Sequence, residues 1–363
     1  MCKHHLPGTL FFAFIFLAYG CIKEIAAPIR HSIPHLVVEG SITTEHSPYT
    51  IQLNYSGSFT TSQVDSTQIF IDNAMVVIHD TDGDSTVCNL TFPGTYQSSN
   101  SNFVGQVGHT YIIRIHLANG KTYISKPETI LPVSPVDSVS IAYDSSTIYD
   151  VRPNQFIVSV HSRDPAALQN YYRWTASGYV ARKSWGQPCN PYGSPPCTDP
   201  YMCKCYALCE QYIEDNHINI LSDKLVAGNE ITREVFYSPI YWYGKHFLEI
   251  KQYSLNKDAY YFWQQYITQT TRTGSILDPL PSSLLGNIYN EADSNDIALG
   301  LFSASDVFVK KVIIIPYAYQ EYWLRSTASE FIKQGDCHVA YPNSLPDLQE
   351  PSGWENADTI EFR

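Results

Sequence analysis

Cys21 is the residue whose neighbours most clearly indicate a chemical modification. It follows an apolar run, Leu10 to Leu17, and the segment 18–20, and a short basic region containing Lys3 precedes both. This order is typical of a secretory signal peptide, and the apolar run is too short to cross a bilayer core of ~30 Å. A cysteine at the first mature position is the acceptor for a bacterial lipid anchor. We therefore predict a signal peptide over residues 1–20, an acylated Cys21 and a tether over residues 21–34. The alternative, which the bulk of Tyr19 favours, is an ordinary signal peptide followed by an incidental cysteine.

Six further cysteines are candidates for cross-links. Export places the chain in an oxidising compartment, where disulfides are the default for clustered cysteines, and six cysteines allow fifteen pairings. Zinc binding is the alternative, but the gaps are irregular and no C-x-x-C spacing occurs. We predict structural disulfides and no metal site among Cys189, Cys197, Cys203, Cys205, Cys209 and Cys337. Cys88, in a strand-like run, is predicted to be a buried free thiol.

Three aspartates resemble part of a metal-binding loop. Asp80, Asp82 and Asp84 alternate around Gly83 at the spacing by which calcium loops offer oxygen ligands, but no distal glutamate completes the loop. The segment lies between two strand-like runs and contains Asp-Gly. We therefore interpret it as a hairpin turn.

One short motif resembles a catalytic pattern. Ser254 and Lys257 match S-x-x-K, in which a lysine activates a serine nucleophile, but the S-D-N and K-T-G motifs do not follow downstream. Helix capping by Ser254 or Asn256 explains the segment equally well. The motifs G-x-S-x-G, H-E-x-x-H and G-x-G-x-x-G are absent as well. We predict a non-catalytic protein without a cofactor.

Aromatic residues are concentrated in two runs, residues 236–247 and 260–266. Aromatic faces stack on sugars and apolar ligands and are enriched in interface hot spots. Three consecutive aromatic residues cannot all face one side of a strand. Tyr241, Trp242 and Tyr243 are therefore the predicted interaction residues, whereas Phe262 and Trp263 are assigned to the core.

The composition is that of an acidic, strand-rich protein. The formal net charge is −12, and it becomes one unit more negative when Lys3 leaves with the signal peptide. Such a chain repels phosphate backbones, so nucleic acid is not an expected partner. Charged residues make up 16% of the chain and tyrosine is abundant at 27 residues, a mixture that favours pleated strands over helices.

The pattern of alternation predicts two regions. Over residues 35–133, alternating runs are joined by the turn signals Asp82-Gly83 and Asn119-Gly120, which is typical of an immunoglobulin-like β-sandwich. A proline-containing stretch, 131–138, marks the joint. Residues 134–363 are predicted to form a larger β-rich domain with a cysteine-rich loop and a proline- and tryptophan-rich tail.

The second region is expected to contain one or two short helices. One follows Asp164-Pro165. The other begins after Ser254 or Asn256, because a run of apolar side chains there recurs at helical spacing. Those side chains belong to Ala259, Phe262, Trp263 and Tyr266. The predicted fold class is thus mainly β.

Several segments occur together in an order that resembles a known family. They are LVVEGSIT, GTYQS, GQVGHTYIIRI, NYYRW, SLNKDAYYFWQQ, GSILDPLPSSLLGNI, ALGLFSAS and a final GDC. Over roughly residues 34–355 they resemble the outer-membrane lipoproteins classed as domain of unknown function 4249. The resemblance implies an accessory lipoprotein of SusC-like TonB-dependent receptors. It carries over no catalytic residues, because the chemistry of the family is uncharacterised.

From the signal sequence and the resemblance we expect a non-catalytic binding module for nutrient uptake at the outer membrane. The lipid anchor is its expected membrane contact, a TonB-dependent receptor its expected partner, and the charged residues after Cys21 indicate display at the cell surface. The ligand class, whether glycan, peptide or another small molecule, stays open. A surface hydrolase of glycans or peptides and a structural envelope component are the alternative functions.

Overall fold

The computed structural model describes eleven ranges of the chain. They are residues 34–56, 69–145, 154–166, 169–188, 204–215, 217–241, 244–271, 284–316, 333–334, 337–345 and 350–362. The bounds and contacts below refer to these residues.

Strands dominate the described residues. In chain order they are β1 (Leu36–Thr43), β2 (Thr50–Tyr55), β3 (Ile69–Phe70), β4 (Met75–Asp80), β5 (Ser85–Phe92), β6 (Thr95–Ser98), β7 (Thr110–His116), β8 (Thr122–Ser125), β9 (Glu128–Thr129), β10 (Val136–Asp144), β11 (Asn154–Arg163), β12 (Tyr171–Pro188), β13 (Lys204–Glu214), β14 (Asn219–Ser222), β15 (Glu230–Ile240), β16 (His246–Ser254), β17 (Leu285–Asn290), β18 (Ile297–Ser305), β19 (Val307–Pro316), β20 (Lys333–Gln334) and β21 (Asp358–Phe362). The helices are α1 (Lys257–Thr270) and the single turn α2 (Cys337–Ala340), with a 3-10 turn at Asp223–Leu225. The prediction of a mainly β protein with one or two short helices is confirmed.

The first sheet closes on itself. Its hydrogen-bonded order is β1-β18-β17-β8-β7-β4-β5-β6-β2, and β2 pairs back to β1, while β3 and β9 extend from β2 and β7. The contact between β1 and β18 is parallel and runs from Val37 beside Leu299 to Thr43 beside Ser305. Alternate side chains point into the ring and form one apolar core. Closure pairs both edges of the nine strands and so leaves no open edge among them.

The remaining strands form a two-layered sandwich. Three strands form one sheet in the order β10-β11-β15. The other sheet has the order β13-β12-β16-β19-β21, and β14 and β20 also pair with β12. The facing sides share a second apolar core, in which Phe156 and Val158 of β11 meet Trp174 of β12 and Ile250 of β16. The two sheets therefore bury one continuous layer of side chains between them.

The sheets do not divide at the predicted boundary near residue 133. β17 and β18 lie after the sandwich strands β10 to β16 in sequence, yet they belong to the closed first sheet. The immunoglobulin-like sandwich predicted for residues 35–133 is not confirmed, because strands β1 to β9 share one sheet. Alternation identifies a strand but carries no information about a partner that lies far away in sequence.

The prediction of a short helix after Asp164 is wrong for residues 169–174, none of which is helical. Strand β12 begins at Tyr171, and Tyr172 and Trp174 enter the sandwich core at a spacing of two. Asp164 caps no helix among the residues that the structure describes. Its buried carboxylate accepts hydrogen bonds from the hydroxyl of Tyr172 at 2.6 Å and from the backbone N–H of Gly228 at 3.1 Å. Burial of aromatic side chains in the sheet therefore overrides the local helix signal.

Asp306 joins the closed sheet to the sandwich at the point where β18 leads into β19. Its carboxylate accepts hydrogen bonds from Thr44 Oγ1 at 2.7 Å and from the backbone N–H of Val133 at 2.9 Å. Its own backbone N–H donates to Ser254 Oγ at 2.9 Å, and that hydroxyl donates to the carbonyl oxygen of Leu131 at 2.6 Å. One residue thus holds together the ends of β1, β16 and β18 and the joint after β9.

Replacing Asp306 by alanine is expected to lower the free energy of unfolding by about 1–3 kcal/mol, because partly buried donors lose their acceptor. The midpoint of urea unfolding measures this change. Asp137→Ala, at an exposed position of β10, is the matched control and should change stability by less than ~0.5 kcal/mol. Equal midpoints for the two variants would contradict the role of the Asp306 carboxylate.

Candidate functional site

A groove with a volume of about 610 Å³ lies between the closed sheet and helix α1. One wall is the outer face of β1, β2 and β18. Phe262, Trp263 and Tyr266 of α1 lie in the other wall, and Arg173 of β12 and Leu284 also line the groove. Sites for small molecules in proteins typically measure ~300–1,000 Å³, so the groove is large enough for such a ligand.

The strand register determines the polarity of the groove floor. Because alternate residues of a strand share a face, outward-facing partners on β1 and β18 line the floor as side-by-side pairs. These pairs are Val37 with Leu299, Glu39 with Leu301, and Ser41 with Ser303. The floor therefore changes from apolar at one end to hydroxyl-bearing at the other.

Gly300 is required for this pairing. Its φ of +90° lies in the left-handed region, and a Cβ at this position would be 2.0 Å from the carbonyl oxygen of Val38. Only glycine adopts this backbone without a clash. The glycine therefore lets β1 and β18 approach each other closely beneath the groove.

Helix α1 is held in place by its apolar face. Ala259 and Phe262 are buried in a cluster with Leu255. The same cluster contains Tyr171 of the sandwich and Leu301 of the closed sheet. The predicted core position of Phe262 is confirmed. Trp263 is only partly buried, however, and lines the groove together with Tyr266. The predicted helix is confirmed, but Trp263 and Tyr266, at one edge of its apolar stripe, line a cavity.

A buried polar network positions the start of α1. Asn256 is the N-cap residue, but its side chain makes no capping hydrogen bond. Its Nδ2 donates instead to Glu128 Oε2 at 2.6 Å, and Glu128 Oε1 accepts from Asn287 Nδ2 at 2.7 Å. Burial raises the pKa of the Glu128 carboxyl, whereas the hydrogen bonds from the two asparagines oppose that shift. The network ties the helix to β9 and β17 of the closed sheet.

Arg173 and Trp263, which both line the groove, each carry a side-chain N–H donor without a partner among the described residues. The guanidinium carbon of Arg173 lies 4.3 Å from the centroid of the Trp263 ring and 5.9 Å from that of Tyr253. Arg173 Nε and Trp263 Nε1 are shielded from solvent and have no hydrogen-bond partner among the described residues. Leaving a buried donor unpaired costs about 1–3 kcal/mol, so such groups call for an acceptor.

Burial lowers the pKa of the Arg173 guanidinium, whereas Tyr253 and Glu39 act in the opposite direction. Arginine nevertheless stays protonated in proteins. No carboxylate of the described residues forms an ion pair with Arg173. Glu39 affects the pKa of Arg173 by its charge but makes no direct contact that counts as an ion pair. The groove therefore contains a positive charge without a direct counter-ion in this part of the chain.

Sequence reasoning missed Arg173. It lies on β12 beside Tyr253 of β16 and Ile220 of β14. The available signal was a single cation within the run NYYRW, where alternation places Tyr172 and Trp174 in the sandwich core and Arg173 on the opposite face. Which element covers that face is decided by the packing of α1.

Tyr241, one of the predicted interaction residues, is not among the described residues that line the groove. The ring of Tyr241 packs against Arg182, whose guanidinium carbon lies 3.7 Å from the ring centroid and 4.7 Å from that of Tyr341. Trp242 and Tyr243 lie outside the described residues. Tyr241 therefore contributes to a contact between the sandwich and the chain after α2.

One disulfide, between Cys209 and Cys337, lies in the described part of the chain. It attaches α2 to β13 with a Cα–Cα distance of 5.4 Å and closes a loop with a sequence separation of 128. Of the other candidates, Cys189, Cys197 and Cys203 lie outside the described residues, as does the side chain of Cys205. Cys88 is a buried free thiol, as predicted, and burial raises its pKa to about 12.

Removing this bridge should cost about 2–5 kcal/mol of stability, because the unfolded chain regains the entropy of a long open loop. The double variant Cys209→Ala with Cys337→Ala is compared with the parent by chemical denaturation. The single variant Cys337→Ala is expected to lose as much, since either change removes the bridge. A midpoint equal to that of the parent would show that the bridge contributes nothing.

Asp80, Asp82 and His109 form an ionic cluster at the hairpin between β4 and β5. His109 Nδ1 lies 2.8 Å from Asp80 Oδ2 and 3.2 Å from Asp82 Oδ2. The ligand atoms of the three residues lie within 4.8 Å of one another. Asp80 also accepts a hydrogen bond from the backbone N–H of Asp82, and Gly83 has a φ of 108°. The predicted hairpin turn is confirmed, and the cluster fastens that turn to the segment before β7.

The cluster predicts a pH dependence of stability. The hydrogen bond to Asp80 raises the pKa of His109 above 6.5. Burial tends to raise the pKa of Asp80, but hydrogen bonds from Asp82 and His109 outweigh it and lower that pKa below 3.8. A group with a raised folded-state pKa stabilises the fold fully below its unfolded pKa and loses this effect as pH rises.

His109→Gln should therefore destabilise the protein more at pH 5.5 than at pH 8.5. Thermal unfolding of parent and variant across this range measures the difference, in which titrations common to both proteins cancel. His116→Gln, at an exposed position on β7, is the control. A constant difference across the range would contradict the ion pair.

The serine of the S-x-x-K motif has a structural role. Ser254 Oγ donates to Leu131 and accepts from Asp306 in the joint described above, and Lys257 begins helix α1. The lipidation candidate Cys21 lies outside the described residues. Within the described part of the chain, no helix combines the length and apolar character needed to cross a bilayer.

The fold and the site define a mainly β protein with a ligand-sized groove between a closed sheet and a helix. The sequence matches the family described as domain of unknown function (DUF4249) over residues 22–311. The chain belongs to this family, which confirms the resemblance found in its motifs. A search of curated proteins gives no match.

Proposed function

We propose that this protein is a lipid-anchored, non-catalytic binding module that assists a TonB-dependent receptor at the outer membrane and holds a small ligand in its groove. The observation that carries the proposal is the groove itself. It has the volume of a small-molecule site and two shielded donors without partners among the described residues. These are features of a surface that binds something.

The anchor and the partner rest on the sequence. The predicted signal peptide ends at Gly20, directly before Cys21, and attachment by more than one acyl chain holds a protein at a membrane far more firmly than a single chain does. The ordered family motifs support a place beside a SusC-like receptor. A module tethered in this way keeps its ligand close to the transporter.

The lining of the groove favours binding over hydrolysis. Glu39 is the single carboxylate among the described lining residues, whereas glycoside hydrolysis generally uses two carboxyl groups. Neither histidine nor cysteine occurs in that lining to activate a nucleophile. The hydrolase alternative thus has no candidate pair of catalytic residues among the described residues that line the groove.

Native protein purified in mild detergent from cells that express the receptor should carry acyl chains at Cys21 and should bring the receptor with it. Cys21→Ser should appear in the culture fluid or periplasm and lose the receptor, because it has no tether. Mass spectrometry of the modified cysteine and of co-purifying proteins measures both effects.

Cys2→Ser is the matched control, since residue 2 leaves with the signal peptide, and it should behave like the parent. An unmodified Cys21 would contradict the anchor. Recovery of the parent without any receptor would contradict the partnership.

A further inference from the structure

We propose that the groove binds a small monoanionic amphiphile whose charged group is held by Arg173 and Trp263. Its apolar body would lie along the floor formed by Val37 and Leu299. This inference rests on the proposed binding function and specifies its ligand class.

The two unpaired donors determine where the charged group lies. Arg173 Nε and Trp263 Nε1 are both shielded and both belong to residues that line the cavity. The guanidinium carbon lies 4.3 Å from the centre of the indole ring, so the two side chains are close enough for one carboxylate to lie beside both. The planar fork of arginine matches a carboxylate in two-point binding, and such charge-assisted hydrogen bonds are the strong ones.

Other arginines of the described chain donate hydrogen bonds to side chains of the protein. Arg233 Nε donates to Asn219 Oδ1 at 2.7 Å, and Arg114 Nη2 donates to Glu291 Oε1 at 3.1 Å. No comparable hydrogen bond joins Arg173 to a described residue. Arg182 Nε is also unpaired, but Arg182 Nη1 donates to Gln211 Oε1 at 3.0 Å, so Arg173 differs in that its whole guanidinium lacks a hydrogen bond to a described residue.

The charge of the groove limits the ligand to one negative group. Glu39 lies on the floor, and its carboxylate repels anionic groups, so a ligand with two negative charges is repelled more than a ligand with one. Like charges placed close together in a groove are costly because low-dielectric walls strengthen their repulsion. A monocarboxylate therefore fits better than a dianion.

The floor determines the body of the ligand. Val37 lies beside Leu299, and Leu284 and Phe262 also line the cavity. Burying apolar surface against these side chains contributes roughly 25 cal/mol per Å². The apolar end of the floor, where Val37, Leu299 and Leu301 lie, therefore suits an acyl chain, whereas the end with Ser41 and Ser303 does not.

Calorimetric titration of the secreted Cys21→Ser chain with decanoate, decan-1-ol and acetate tests the inference. Decanoate has both the charge and the apolar body, decan-1-ol lacks the charge, and acetate lacks the body. We expect one decanoate site and at least about tenfold weaker binding of each of the other two probes, since a hydrogen bond to a charged group contributes ~1.5–3 kcal/mol.

Substitutions in the same background identify the donors. Arg173→Met keeps an apolar stem without charge and should weaken decanoate at least about tenfold while leaving decan-1-ol unchanged. Trp263→Phe keeps an aromatic ring without the N–H and should weaken decanoate severalfold. Arg114→Met, an arginine outside the groove, is the matched control and should bind like the parent.

Equal affinities of the parent for decanoate and decan-1-ol would overturn the inference, as would no decanoate binding or normal binding by Arg173→Met. If Arg173→Met fails to fold, the comparison of the two ten-carbon probes on the parent still decides. Failure here with receptor still co-purifying with the native protein would refute the ligand class alone. Loss of the receptor or of acylation would refute the proposed function.

Discussion

The parallel pairing of β1 with β18 is the interaction on which the rest of the architecture depends. It closes the first sheet and forms the floor of the groove. It also ends next to Asp306, where the chain passes from β18 into the sandwich. The hydrogen bond between Thr44 and Asp306 spans 262 residues of sequence. Ordering such a long loop carries a large entropic cost, which burial of the two apolar cores must offset.

The groove is a consequence of how the two β bodies meet. Helix α1 lies across their junction, with Phe262 packed on Leu301 of the closed sheet and on Tyr171 of the sandwich. The network of Glu128, Asn256 and Asn287 holds its first turn. The edge of α1 that carries Trp263 and Tyr266 is separated from β1 by the groove, which Arg173 also lines. Junctions of this kind are where ligand sites commonly occur.

The far end of the sandwich is stabilised in a different way. The disulfide between Cys209 and Cys337 attaches the turn α2 to β13, and Arg182 lies between the rings of Tyr241 and Tyr341. Tyr241, which is predicted to lie at an interaction surface, makes an internal contact with Arg182. Aromatic content alone does not distinguish the two roles, because a flat ring stacks as well on a neighbouring arginine as on a ligand.

Local chemistry explains what the sequence determined by itself. Alternation, the Asp82-Gly83 and Asn119-Gly120 turns, the helical stripe of α1 and the burial of Cys88 depend on neighbouring residues, and the structure contains all of them. Only the tertiary structure decided which strands pair, that residues 285–305 complete the first sheet, and that Arg173 faces a groove. Those outcomes depend on contacts between distant segments, and the period of a strand specifies its faces but not what covers them.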